Sequence, residues 1–480
     1  MLETLQPQSV FKYFEEISCI PRGSGNTKAV SDYCAAFARE HGLRCYQDEW
    51  NNVIIIKEAS EGREQASGVI LQGHLDMVAV KEADSFHDFE KDPLPLTING
   101  DWISSTKTSL GGDDGIAVAY ALAILADDTI SHPRLEVILT VDEETGMTGA
   151  KHIDLSMIRG KYMINLDSEE EGYILTSCAG GLNGDIRLPV QYTEAEGVFY
   201  TLSFEGLLGG HSGAEIGKER ANAIKLAGRL LHTLGETAEI GVAAFSGGEK
   251  DNAIPRDCRI ELFVRAEDAS LFEETLRAEE AVYQAEYAVS DGGLSLKLTG
   301  HGSRCGRVLT PAAQEKLIFL LCNMPCGIQH MSMDIPGLPE TSLNAGVARL
   351  SEECFSLTVS VRSSVRSRKH AVSRQLKYLT EFLGGEYVLC GEYPEWAYKR
   401  DSRLRELAAE TYGELFGREA VIQAIHAGLE CGLLLEKCPG LDIISIGPDM
   451  RDIHTPKERL SISSTRRTWE YLVALLKKLS

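Results

Sequence analysis

Five separated segments of this chain carry side chains of the kinds that hold metal ions: His74-x-Asp76, Asp113, Glu143-Glu144, Asp167 and His454. Most of them stand just beyond an apolar run. Together they match the needs of a hydrolytic centre built on two cations. Such a centre takes a pair of neutral imidazoles, a carboxylate able to bridge both ions, a carboxylate to complete each ion, and one more carboxylate free to move protons.

Each segment has a local rationale and a competing one. In Gln72-Gly73-His74-Leu75-Asp76-Met77, residues two apart on an extended chain face the same way, so His74 and Asp76 are expected to point into one site. Asp76 can then hold the second ring nitrogen of His74 and fix the tautomer that offers a lone pair to a cation. The competing reading is a solvated strand end. In Leu110-Gly111-Gly112-Asp113-Asp114-Gly115 the glycines let backbone approach closely, and an aspartate there also suits a helix cap. Two adjacent aspartates exceed what a cap requires. This favours Asp113 as the bridging ligand with Asp114 as its support, although sequence alone does not separate the two. After Val141, the acids Asp142-Glu143-Glu144 point in diverging directions, so Glu144 can bind a cation while Glu143 faces substrate as general base. The alternative there is an exposed acidic turn. Asp167 follows the apolar run in Ile164-Asn165-Leu166, and His454 follows the run 442–447.

The elements that must position these residues are also legible. Runs 69–71, 135–141, 162–166 and 443–446 are short and rich in β-branched residues, as buried parallel strands are. The alanine-rich stretch 116–126 reads as a helix. Strands alternating with helices predict an α/β sheet with covered faces, and residues just beyond the carboxyl ends of such strands share one crevice. From about residue 182 the texture changes to alternating strands (199–204, 259–264) and helices such as 221–234. The expected division is a catalytic domain from 1–181 and 390–480, with a mixed, largely parallel sheet, and an inserted α+β lid domain at 182–389. Inside the insertion a faint repeat suggests an internal duplication. It runs strand, then Gly210-His211-Ser212 or Gly300-His301-Gly302-Ser303, helix, Asn252-Ala253 or Asn344-Ala345, then a strand ending in Arg265 or Arg362.

Composition narrows the partners. A chain of 480 residues exceeds the usual span of one core. A net charge of -23 argues against nucleic acid or an anionic membrane, because phosphate binding needs a basic surface. No basic segment followed by an apolar stretch opens the chain, and no apolar run reaches membrane-spanning length. The twelve cysteines lack framework spacing, which suits reduced thiols in a cytoplasm. The close pair Cys322 and Cys326 is expected to be core rather than a metal site.

Taken together, several stretches resemble the dinuclear zinc aminopeptidase and carboxypeptidase superfamily, in particular its carnosinase-like dipeptidases. They are Ile20-Pro21-Arg22-Gly23-Ser24-Gly25-Asn26, Gly73-His74-Leu75-Asp76-Met77-Val78, Asp142-Glu143-Glu144-Thr145-Gly146-Met147-Thr148-Gly149-Ala150, Asn165-Leu166-Asp167-Ser168-Glu169, Gly209-Gly210-His211-Ser212-Gly213 and His426-Ala427-Gly428-Leu429-Glu430-Cys431-Gly432. The resemblance implies two zinc ions, with cobalt or manganese as possible substitutes. His74, Asp113 and Asp167 would hold one and Asp113, Glu144 and His454 the other, with Asp76 orienting His74 and Glu143 as base. It further implies substrate contacts from His211, Asn252 and Arg362 in the inserted domain, and a substrate-floor segment at Glu430. One departure stands out: relatives commonly carry Asn where this chain has Asp114. The implied activity is hydrolysis of dipeptides, Xaa-His and β-alanyl-histidine among them, by a monomer or homodimer. A broader di- or tripeptidase, an N-acyl amino acid deacylase and a non-catalytic zinc scaffold are the rivals. An intact Glu143 argues against the last, since a structural zinc site needs no free base.

Overall fold

The structure is a computed structural model that describes residues 2–480. It divides into two compact units, one of Met1–Ser177, Tyr398–Ala424 and Leu429–Ser480, the other of Cys178–Ala397 and Ile425–Gly428.

The first unit is organised by an 8-stranded sheet. Its order is Arg44–Gln47, Val53–Lys57, Leu135–Thr140, Val69–His74, Tyr162–Asn165, Asp442–Ser445, Tyr173–Cys178, Val421–Ile425. The four central strands, Leu135–Thr140 through Asp442–Ser445, are parallel, and the pairings that flank them are antiparallel. Every residue of Val69–His74, Leu135–Thr140 and Asp442–Ser445 is buried. Burial on both faces is why these strands carry consecutive apolar residues, as at 69–71, 137–139 and 443–444, rather than strict alternation.

Helix Gly112–Ala126 is buried along almost its whole length and packs on helix Gln8–Ser18 and strand Val69–His74. Its alanines are small enough for neighbours to close on every side. Asp113 (φ -81°, ψ 107°) and Asp114 (φ -114°, ψ 32°) depart from helical geometry, so regular helix begins after them. Gly73 makes the close approach possible: a Cβ there would lie 2.5 Å from Asp114 Oδ2 and 2.6 Å from Ala117 Cβ.

His454 is positioned differently from the sequence expectation. The parallel strand ends at Ser445, and Gly447-Pro448 turn the chain away, proline having no N–H to continue a ladder. The chain then enters a separate 4-stranded sheet of Met450–Arg451, Arg459–Ser461, Trp102–Ser105 and Leu96–Asn99. His454 sits in the loop between the first two of these strands, which pair antiparallel.

The second unit is built on a 9-stranded sheet whose pairings are all antiparallel. Its strand order is Ser295–Leu309, Tyr192–Glu205, Cys258–Val264, Ile240–Gly247, Pro339–Leu350, Cys354–Ser363, Gly180–Pro189, Glu386–Tyr393, with Gly327–Met331 also paired to Pro339–Leu350. Two βαββαβ modules share this sheet. One runs Tyr192–Glu205, helix Ala223–Thr237, Ile240–Gly247, Cys258–Val264, helix Ala269–Glu286, Ser295–Leu309. The other runs Gly180–Pro189, helix Pro311–Asn323, Pro339–Leu350, Cys354–Ser363, helix Arg366–Phe382, Glu386–Tyr393. Each module places its strands in the order fourth, first, third, second, and their second strands meet side by side.

The duplication is therefore topological, and its frame differs from the one the sequence suggested. His211 follows the first strand of its module, whereas His301 lies inside a fourth strand. Asn252 precedes a third strand, whereas Asn344 is within a second. Only Arg265 and Arg362 hold comparable places, at the ends of the two third strands. The unit's limits also differ from 182–389. Strand Glu386–Tyr393 pairs with Gly180–Pro189, and Cys178 bridges Trp396, so these contacts carry the unit from Cys178 to Ala397. Cys322 is exposed, contrary to a core assignment, because helix Pro311–Asn323 turns Leu317, Ile318, Leu320 and Leu321 inward instead, whereas Cys326 is partly buried and packs against the core of this unit. Among the described residues no helix is long and apolar enough to cross a membrane.

Candidate metal centre

Within the first unit the predicted ligands converge on Asp113. Its Oδ1 lies 3.1 Å from His74 Nε2, and its Oδ2 lies 3.0 Å from His454 Nε2. His74 Nε2 is also 3.7 Å from Asp167 Oδ1, and His454 Nε2 is 3.0 Å from Glu144 Oε1. Ligand atoms of His74, Asp113 and Glu144 lie within 4.8 Å of one another, as do those of His74, Asp114 and Asp167. Asp114 thus stands inside the cluster.

Each side chain is held by its element. His74 is the last residue of its strand. Its Nδ1 faces the Asp76 carbonyl at 3.1 Å and the Asp76 carboxylate at 3.4 Å, which leaves Nε2 turned to the carboxylates. Asp76, fully buried, accepts from Ser24 Oγ at 2.8 Å and from the Glu143 and Glu144 N–H groups at 3.1 and 3.4 Å. One carboxylate therefore joins three segments of the site. Asp113 turns its carboxylate to the two imidazoles, and Asp114 Oδ2 accepts from the His74 N–H at 3.1 Å. His454 takes a φ of 58°, a left-handed conformation uncommon outside glycine.

Charge supplies the test of fit for cations. Asp113, Asp114 and Asp167 are buried or nearly so, and burial followed by like charge holds Asp114 and Asp167 well above the usual carboxylate range. Burial, and then the charges of Glu430, Glu144 and Asp113, push Glu143 up to about 8 against the pull of His74. Hydrogen bonds to Asp113 and Glu144 raise His454 to about 10. Burial opposes protonation of His74, yet contact with Asp113 and Asp76 raises it well above the ordinary value. Crowded acids of this sort are costly unless cations receive them. Asp114 Oδ1 is buried without a hydrogen-bond partner, as a ligand oxygen is when its partner is an ion. Two imidazole nitrogens with carboxylate oxygens form a donor set that suits zinc, so the residues present fit two divalent cations.

Glu430 lies in the first unit, buried at 1% exposure, where its Oε2 accepts from Gln72 Nε2 at 2.6 Å and from Thr140 Oγ1. Its Oε1 has no partner, and burial pushes the group up to about 7. It sits beneath the strand ends rather than on an open floor.

The other three predicted residues lie in the second unit. A Cβ at Gly213 would be 3.0 Å from His211 Cε1 and 3.1 Å from Arg362 Nε, so both side chains converge on that glycine. His211 Nδ1 accepts from the Gly213 and Ala214 N–H groups at 3.2 and 3.0 Å, which leaves Nε2 as its donor. Arg362 donates to Tyr393 Oη at 2.8 Å, while its buried Nε is unpartnered. His426 Nε2 meets Ser342 Oγ at 2.7 Å. Asn252 is exposed, and its carbonyl accepts from the Ser212 N–H at 2.9 Å.

Sequence reasoning gave no role to Arg22, Ser24 or Glu458, all of which touch the ligand segments. Arg22 and Ser24 lie in a stretch that was legible as a motif. Glu458 carries no signal, since its spacing from His454 matters only once the loop is folded.

A buried cluster of imidazoles and carboxylates at the ends of the central parallel strands of a mixed sheet, with one glutamate beside it, suits a metal-dependent hydrolase. Residues 70–478 match the model of peptidase family M20/M25/M40. The chain belongs to that family. It is 36% identical over 480 residues to the cytosol non-specific dipeptidase of Escherichia coli K12, covering 100% of this chain and 99% of that protein. The crystal structure of an aminoacylhistidine dipeptidase from Vibrio alginolyticus superposes with a TM-score of 0.93 at 34% identity, over 100% of this chain and 98% of that one. The aminopeptidase PepT of Bacillus cereus shares the fold, with a TM-score of 0.57 at 14% identity over 99% of both chains.

Proposed function

We propose that this metallopeptidase hydrolyses dipeptides, Xaa-His and β-alanyl-histidine among them, at a centre of two zinc ions. The observation that carries the reading is the position of Asp113, whose two carboxylate oxygens face two different imidazoles at 3.1 and 3.0 Å. A carboxylate so placed can bridge two cations. His74 and Asp167 complete one ligand set, Glu144 and His454 the other. The names of the two full-length relatives support a dipeptide substrate, and the first of them supports a cytosolic location.

When bound, the cations supply a water of lowered pKa and polarise the scissile carbonyl. The chain's own residues do the rest. Glu143, held by its main-chain N–H to Asp76, takes the proton of the attacking water and returns it to the leaving amine. Asp76 keeps His74 in the tautomer that leaves Nε2 unprotonated. In the second unit, taken by itself, His211 Nε2 and the buried Arg362 are donors that meet near Gly213, suited to a carbonyl oxygen and a carboxylate. Asn252 adds an exposed amide.

Metal analysis combined with turnover of a substrate panel, before and after chelation, tests this reading. The panel holds β-alanyl-histidine, glycyl-histidine, alanyl-leucine, a tripeptide and N-acetylated amino acids. We expect two zinc per chain and dipeptide turnover that chelation abolishes. Equal or faster turnover of the tripeptide or the acylated amino acids overturns the dipeptidase assignment.

A further inference from the structure

Three ligands of the centre come from segments that no common ladder joins. His74 ends a strand of the large sheet, His454 lies in a hairpin of the small one, and Asp113 occupies an irregular turn ahead of a helix. Two buried charged side chains tie the backbones of these segments together from behind.

Arg22 is 1% exposed. Its Nη1 donates to the carbonyls of Leu75 at 3.0 Å and Asp76 at 3.1 Å, and its Nη2 donates to the carbonyl of Gly111. One planar guanidinium therefore joins the segment that follows His74 to the segment that precedes Asp113. The Asp76 carbonyl it holds is the one that faces His74 Nδ1. Glu458 is 3% exposed. Its Oε2 accepts from the N–H groups of Leu110 at 2.8 Å and Gly111 at 3.0 Å, and its Oε1 from Gly112 at 2.7 Å and Asp113 at 3.3 Å. Those four N–H groups precede regular helix, and a single carboxylate receives them all. Glu458 closes the loop that bears His454, with its N–H donating to the Thr455 carbonyl at 3.2 Å.

We propose that Arg22 and Glu458 are positioning residues that set the cation affinity of the centre. Arg22 fixes Asp113 relative to His74, and Glu458 fixes Asp113 relative to His454. Neither touches a reacting atom. The inference rests on reading the cluster as a metal centre, and for Arg22 it has a signature that charge alone does not produce. A guanidinium near a cation site repels cations, so removing Arg22 for its charge would tighten binding. Removing it as a clamp frees the main chain of two ligand segments and weakens binding. The sign of the change separates the two.

The experiment measures zinc affinity by competition with a chromophoric chelator, and ligand geometry by the visible absorption of the cobalt(II) form. The variants are Arg22→Met, Arg22→Lys and Glu458→Gln, with thermal melts of the metal-free chains to confirm folding. We expect Arg22→Met and Glu458→Gln to bind zinc about 10- to 100-fold more weakly, the range typical of groups that support ligands, with altered cobalt spectra. Arg22→Lys is expected between these and wild type, since an ammonium keeps the charge but lacks the fork that reaches both segments. Unchanged or tighter binding in Arg22→Met with a wild-type spectrum overturns the role of Arg22. If that variant does not fold, wild-type affinity in either Arg22→Lys or Glu458→Gln overturns the proposal. A wild-type chain that takes up no zinc overturns the metal-centre reading itself, whereas equal zinc affinity in wild type and variants overturns only the positioning roles.

Discussion

His74 and His454 approach opposite oxygens of one carboxylate, that of Asp113, at 3.1 and 3.0 Å. This makes Asp113 unlike Asp167 and Glu144, each of which faces one imidazole. Removing Asp113 should therefore disturb both cations, while removing Glu144 or Asp167 should disturb one. We expect Asp113→Ala to bind less than one zinc per chain, and Glu144→Gln and Asp167→Asn to keep about one. Elemental analysis after gel filtration measures this. Two equivalents retained by Asp113→Ala would show that it is not a bridge.

Glu143 stands beside the cluster with its main chain tied to Asp76 and its carboxyl raised by burial and neighbouring acids. In its proposed role as general base it contributes to rate and not to coordination. Glu143→Gln should lower kcat by about 100- to 10,000-fold, the usual contribution of acid–base catalysis, with zinc content unchanged. Loss of zinc in parallel with rate would instead make Glu143 a ligand.

Gly111 combines a φ of 65° with close packing: a Cβ there would lie 2.6 Å from Arg22 Nη2 and from Met77 Sδ. Gly42 has a similar φ of 68° with nothing within 4 Å. Both alanine variants pay the left-handed penalty of about 1–3 kcal/mol, and only Gly111→Ala adds a clash. Melts of the metal-free chains should show a Tm lowered in both and lowered further in Gly111→Ala. Equal losses would mean that Arg22 and Met77 simply move aside.

In the second unit His426 is held down to about 3, by burial first and then by the charges of Arg362 and His211. Its unfolded value lies near 6.5, so between these limits the unfolded chain binds the proton and the folded chain does not. Stability from this residue is complete above about pH 6.5, falls as pH drops toward about 3, and stops falling below that. His426→Asn should flatten this slope. Thermal melts between about pH 4 and about pH 7.5 test it, and a slope unchanged in the variant would place the acid sensitivity elsewhere.

The central strands were legible because parallel strands buried on both faces carry short apolar runs, and 69–71, 137–139 and 443–444 are such runs within strands that are buried at every residue. The ligand types were legible because acids and histidines immediately after such runs are costly without a purpose. The repeat in the second unit was seen through short matches such as Gly-His-Ser, and those matched the wrong strands. Its true frame is the order of strands across a sheet, which local patterns do not encode.

The sequence by itself determined the donor chemistry and the parallel core, since both follow from residue type and near-neighbour spacing. Only the tertiary structure decided which oxygen of Asp113 meets which histidine, that Asp114 stands among the ligands, and that His454 arrives from a second small sheet. It alone revealed Arg22 and Glu458 behind the site. Their partners are backbone groups of remote segments, and a carbonyl or an N–H has no signature in the sequence until folding brings it within hydrogen-bonding distance.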